Sequence, residues 1–116
     1  MIMLQVESAL EAVKAAAKSS GKPVYRRALK VLSKPVNSLP ELNVGKLDAV
    51  APDGSAVLVP GKVLGEGAVT KKLSVGAVSF TRSAAAKIAG AGGEALLLKD
   101  FVVKHGDGKG VLLIGG

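Results

Sequence analysis

Four short apolar runs constrain this chain more than any other feature: Ala56-Val57-Leu58-Val59, Leu73 to Ser79, Ala95-Leu96-Leu97-Leu98 and Val111 to Ile114. None contains a charge, and turn residues bound them. Runs of this length and character are the pattern of strands buried on both faces. A sheet buried on both faces needs helices on each, and the intervening sequence can supply them. Thr81 or Ser83 can cap a helix through Ala84-Ala85-Ala86-Lys87-Ile88-Ala89, closed by Gly90, Gly92 and Gly93. Asp100 can start a short helix through Phe101, Val102 and Val103, and the turn Gly106-Asp107-Gly108-Lys109-Gly110 leads to the last strand. Strands alternating with helices predict an α/β domain with helices packed against its sheet.

The first 35 residues read differently, as two helices. Val6, Ala9, Leu10, Val13, Ala16 and Ala17 share one helical face, and Ser19-Ser20-Gly21 interrupts it. Pro23 suits the first turn of a second helix, whose apolar face is Tyr25, Ala28, Leu29 and Leu32. Lys34-Pro35 ends it, because a residue before proline is driven from helical angles. Residues 36–55 are poorly periodic, with a short edge strand expected over Leu42 to Leu47. Pro60-Gly61 is expected to end the strand at Ala56–Val59, with Lys62-Val63-Leu64 a second short strand. With 116 residues, 48% hydrophobic and 22% charged, the chain is expected to be one compact domain. Its parts are a basic helical region at 1–35, an irregular segment at 36–55 and an α/β core at 56–114.

Charge points to the partner. Sixteen Lys and Arg against nine Asp and Glu give a net charge of +7, which suits a polyanion. The arginines are Arg26, Arg27 and Arg82 alone, so most of the charge is lysine, better matched to phosphate than to base edges. Between Ala12 and Pro40 lie Lys14, Lys18, Lys22, Arg26, Arg27, Lys30 and Lys34, with no acid among them. Arg26, Lys30 and Lys34 form a stripe on the second helix, with Arg27 beside it, opposite the apolar face. An ordinary solvated basic surface is the alternative, though such a face more often interleaves acids. A helix lying on an anionic membrane would want bulky anchors that this apolar face lacks. No apolar run approaches the ~18 residues of a membrane span, and the N-terminus has no signal-peptide pattern, so a soluble intracellular protein is expected.

Catalytic chemistry finds little footing. Without cysteine there is no disulfide and no thiolate nucleophile or ligand. The segment Pro60-Gly61-Lys62-Val63-Leu64-Gly65-Glu66-Gly67, with Lys71-Lys72 downstream, could bring backbone and charge to a phosphate. It lacks the Gly-Lys-Ser/Thr ending of a nucleotide-binding loop. The single histidine, His105, is expected at the end of a short helix, where an imidazolium favours terminal carbonyls. One Tyr, two Phe and no Trp cannot build a stacking platform for single-stranded bases. Lysine contacts to the backbone of folded RNA fit better, with recognition by shape and phosphate position. A nucleic-acid module working alone, and an enzyme with a phosphate-bearing substrate at the glycine-lysine segment, remain alternatives.

Several pieces, in order, resemble a known family. They are Pro23-Val24-Tyr25-Arg26, Asn43-Val44-Gly45-Lys46-Leu47, Val57-Leu58-Val59-Pro60-Gly61-Lys62-Val63-Leu64-Gly65 with Gly67, Ala77-Val78-Ser79-Phe80, and Lys87-Ile88 with Ala91-Gly92-Gly93-Glu94-Ala95-Leu96. From about Leu4 to Ile114 the chain is similar to the archaeal and eukaryotic family of large-subunit ribosomal protein eighteen, related to bacterial ribosomal protein fifteen. The resemblance implies an α/β fold of irregular strand-strand-helix turns. It also implies a structural, non-enzymatic role on large-subunit rRNA in the cytoplasm, beside neighbouring ribosomal proteins. No cofactor, metal, membrane or small-molecule substrate is implied, and the chain would be a single copy in the ribosome. By position it marks Arg26, Lys46 and Lys62 as rRNA contacts; charge placement adds Lys22, Arg27, Lys30, Lys34, Lys71 and Lys72. Two departures bear on the extent of the footprint. Val36-Asn37-Ser38-Leu39 stands where family members often carry a basic run, and the C-terminus ends in Gly115-Gly116.

Overall fold

The structure is a computed structural model that describes residues 2–20, 23–33, 39–105 and 110–114, with backbone only at 2–7, 19 and 20. In chain order its elements are α1 (Ile2–Ser20), α2 (Pro23–Leu32), β1 (Glu41–Asn43), α3 (Val44–Val50), β2 (Ala56–Leu64), β3 (Ser74–Phe80), α4 (Arg82–Gly90), β4 (Glu94–Leu97), α5 (Leu98–Lys104) and β5 (Val111–Leu113). It is an α/β fold with two N-terminal helices, as the apolar runs and their spacing predict.

All five strands pair in parallel. The path runs β1-β2-β3-β4, and β5 also pairs with β2. The long strand β2 has β3 on one side. Its other side is divided between β5, opposite Ala56–Leu58, and β1, opposite Lys62–Leu64.

Alternation along the strands sorts the core into two layers. Leu58 and Val78 point to the side covered by Ala9, Val13 and Ala16 of α1, Tyr25, Ala28 and Leu32 of α2, and Phe101 of α5. Val57, Val59, Val75 and Ala77 point to the other side, against Val44 and Leu47 of α3 and Ala84 and Ile88 of α4. Burying one such side chain is worth about 1.5–3 kcal/mol. The result is three layers, helix on sheet on helix. Gly76 matters here because a Cβ on it would lie 2.3 Å from Cγ of Phe101, so its absence lets that ring rest on β3.

Local sequence explains the helix ends. Pro23 is the first residue of α2, where its missing N–H costs nothing. Thr81 caps α4, its Oγ1 accepting from the Ala84 amide at 3.2 Å. Gly92, with φ of +89°, turns the chain after that helix.

Three expectations are corrected. Residues 44–47 are not strand: only Glu41–Asn43 is extended, and α3 follows directly, so the segment 36–55 holds a helix. Pro60-Gly61 does not end a strand. Ala56–Leu64 is continuous, with a register shift between Val59 and Lys62, because the missing Pro60 N–H is absorbed by an irregularity in the ladder. Leu98 belongs to α5 and not to the preceding strand, so that helix starts before Asp100. The turn at 106–109 lies outside the described residues.

Candidate nucleic-acid interface

The two N-terminal helices pack on each other and on the sheet, which fixes what faces outward. On α2, Tyr25, Ala28, Val31 and Leu32 are buried, so Arg26, Arg27 and Lys30 are exposed. On α1, Ala9, Val13 and Ala16 turn inward and leave Lys14 and Lys18 exposed. None of these five cations has a hydrogen bond or ion pair among the described residues, and Glu11 of α1 is exposed. Lys22 and Lys34, both expected contacts, lie outside the described residues.

The other expected contacts do not join this group. Lys62 is half-buried within β2, its amide donating to the Pro40 carbonyl at 3.0 Å, so the anticipated Pro-Gly-Lys turn is part of a strand. Lys46 is exposed at the start of α3, on the far side of the sheet from α2. Lys71 and Lys72 lie on the connection between β2 and β3, which runs alongside α3. The Lys71 ammonium donates to the Ala51 carbonyl at 2.9 Å and is half-buried; the Lys72 ammonium is exposed and has no bonded partner among the described residues.

That connection is held by Asp48, whose carboxylate accepts from the Thr70 amide, the Thr70 hydroxyl and the Lys71 amide at 2.9–3.0 Å. The Thr70 amide bond, with these other donors, holds the Asp48 carboxyl below the usual range.

The carboxyl ends of the strands, where open α/β sheets usually take ligands, are occupied by the chain itself. A Cβ on Gly65 would lie 1.8 Å from the Ser83 hydroxyl, and one on Gly67 would lie 2.7 Å from the Gly45 Cα. Lys87, which sequence reasoning does not single out, donates to the carbonyls of Gly65 and Gly67 at 2.6 and 2.7 Å. The glycine-lysine segment therefore spends its close approaches on protein packing, not on a phosphate. Nothing in the local sequence signals the Lys87 role, because both carbonyls lie 20 or more residues away.

At the amino ends of β3 and β4 the side chains are polar. Glu94 pairs with Lys104, and its Oε1 also lies 3.3 Å from the Ser74 hydroxyl. The Lys104 hydrogen bond, reinforced by charge, holds the Glu94 carboxyl below the usual range. His105 is the C-cap of α5, as expected, but its ring does not turn to the helix carbonyls. Nε2 lies 3.3 Å from the Ser74 hydroxyl and the ring packs on Phe101, with centroids 4.7 Å apart. Glu94 bonds Ser74 and not His105, so this is no nucleophile-base-orienter arrangement. Among the described residues no three His, Asp or Glu side chains could hold a metal. Among the same residues no helix is long and apolar enough to cross a membrane.

A parallel sheet covered on both faces, closed at its carboxyl ends and carrying unpaired cations on its outer helices, defines a basic three-layer α/β module. The family of ribosomal proteins that groups 50S-L15 and 50S-L18e with their 60S counterpart matches residues 41–96. Relatives named large ribosomal subunit protein eL18 extend the likeness to most of the chain. That of Methanopyrus kandleri is 38% identical over 116 residues, covering 96% of this chain and 91% of the relative. That of Halobacterium salinarum is 38% identical over 110 residues, covering 95% and 94%. That of Archaeoglobus fulgidus is 39% identical over 92 residues, covering 79% of each. The chain belongs to the eL18 family of ribosomal proteins, which is not a family of enzymes.

Proposed function

We propose that the chain is a structural constituent of the large ribosomal subunit, in the cytoplasm, binding folded rRNA through the outer surface of the α1–α2 pair. The observation that carries this reading is the exposed row Arg26, Arg27 and Lys30, unpaired among the described residues and set opposite a buried face of the same helix. Cations left without acids on a rigid helix release condensed counterions when they meet phosphates, and so favour a nucleic-acid backbone. Lys14 and Lys18 extend the surface, and Lys22 and Lys34 follow from their places in the sequence. Lys46, Lys72 and the half-buried Lys62 of β2 form a secondary set reaching other RNA segments, whereas Lys71, anticipated as a contact, spends its ammonium on the Ala51 carbonyl. Neighbouring large-subunit proteins complete its surroundings, one copy per ribosome.

The test replaces Arg26, Arg27 and Lys30 together by glutamate and follows the full chain in sedimented subunits. These side chains are exposed, so the variant keeps its circular dichroism and melting temperature while failing to co-sediment with large subunits in moderate salt. Normal incorporation of a folded triple variant refutes the reading.

A further inference from the structure

A cavity of about 470 Å³ opens at the amino ends of β3 and β4, lined by Gly54, Lys72, Ser74, Gly92, Glu94 and Lys104 among others. That volume lies within the range of about 300–1,000 Å³ typical of small-ligand sites. Its polar groups are only partly used by the protein. Oε1 of Glu94 takes both Lys104 and Ser74, so Lys104 is engaged. Two groups remain without a bonded partner among the described residues: the Lys72 ammonium and Oε2 of Glu94.

An unused cation and an unused anionic acceptor in one cavity narrow the ligand. A bare phosphate satisfies Lys72 and is repelled by the carboxylate. An arginine or lysine side chain satisfies Glu94 and is repelled by the lysine. A nucleotide offers both halves, a phosphate for the ammonium and base N–H donors for the carboxylate. Guanine presents N1–H and N2–H side by side, and the two lone pairs of the unused Oε2 can accept from both. In a duplex those donors are consumed by pairing, so the base must come from a loop or bulge.

We propose that this cavity is a subsite for one unpaired guanine nucleotide of the bound RNA, with Glu94 accepting from the base edge and Lys72 holding its phosphate. The inference rests on the RNA-binding reading and adds one read base to a surface that otherwise contacts phosphates. The lining residues include no aromatic side chain, so selectivity comes from hydrogen bonds and not from stacking.

The test is amide NMR on the full-length protein titrated with 5′-GMP, 5′-UMP, inorganic phosphate and free arginine. GMP should shift the Gly92, Gly93 and Glu94 amides saturably and bind about ten-fold or more tightly than UMP or phosphate. Lys72→Ala and Glu94→Gln should each weaken GMP by a similar factor. Lys72→Ala serves as the fold-neutral variant, since Glu94→Gln also disturbs the Lys104 pair. Equal response to phosphate and GMP, response to arginine alone, or no saturable shift overturns the subsite. Failure of the α2 triple variant to join subunits while GMP stays silent removes only the subsite. Normal incorporation of that variant removes the RNA-docking reading, whatever GMP does.

Discussion

The hydroxyl of Tyr25, on the buried face of α2, donates to the main-chain carbonyl of His105 at the end of α5, 80 residues away in sequence. The same His105 turns its ring to Ser74 at the start of β3. The helix that presents the exposed cations is thus tied through one phenol to the end of α5, a contact between segments far apart in sequence. Tyr25→Phe keeps the ring and deletes the donor. A carbonyl left short of its partner costs about 1–3 kcal/mol, so urea unfolding should show an earlier midpoint with unchanged slope. An unaltered midpoint would show that the bond contributes nothing.

Gly76 and Phe101 make a second checkable pair. A methyl group on Gly76 would enter the Phe101 ring, which is fully buried. Gly76→Ala should therefore destabilise by about 1–3 kcal/mol through overpacking. Phe101→Ala alone loses packing, but in combination it removes Cγ and Cδ1, the two atoms nearest the added methyl. The double variant should be more stable than the sum of the two single losses predicts. Simple additivity in denaturant titrations would mean that the ring moves aside freely.

These contacts also mark where the sequence stops being informative. The helices α1 and α2 are legible because burial imposes a period on their residues, β2 and β3 because burial on both faces leaves unbroken apolar runs, and α4 because Thr81 and the following glycines punctuate it. By contrast α3 escapes, because seven residues give too few turns for a period to emerge, and its Val44 and Leu47 fit a strand equally well. The Pro60-Gly61 pair looks like a stop, since only the paired neighbours β1 and β3 reveal that the ladder continues past it. Of the candidate site, the α2 cations are readable from their position opposite the apolar face. The engagement of Lys71 by Ala51 and of Lys87 by Gly65 and Gly67 depends on chain segments that meet only after folding.

Asp48 gives the fold a pH signature. Its carboxyl is held below the ordinary value by Thr70 and Lys71 donors, so folding favours the ionised form. The stability it adds is fully present above the unfolded aspartate value of about 3.9. It is lost as pH falls from there through the lowered folded value. Asp48→Asn should be somewhat less stable than the parent at neutral pH, and the gap should close as pH falls below about 4. Paired thermal melts from pH 6 downward measure this. A gap that stays constant with pH would mean that the carboxylate charge plays no part in holding residues 70–71.

Salt dependence separates cations that dock from cations that hold the fold. Each phosphate contact contributes roughly −0.7 to −0.9 to the slope of log affinity against log salt. Arg26 and Lys30 have no bonded partner among the described residues, so Arg26→Gln with Lys30→Gln should flatten the slope for rRNA fragments by roughly 1.4–1.8. Lys71 carries the same formal charge, but its ammonium is already directed at the Ala51 carbonyl. Lys71→Gln should therefore leave the slope nearly unchanged while lowering the melting temperature. Filter binding of each variant across a salt series decides the point. If the Lys71 variant flattened the slope as much as the helix pair did, the cations would act as a diffuse cloud and their placement on α2 would not matter.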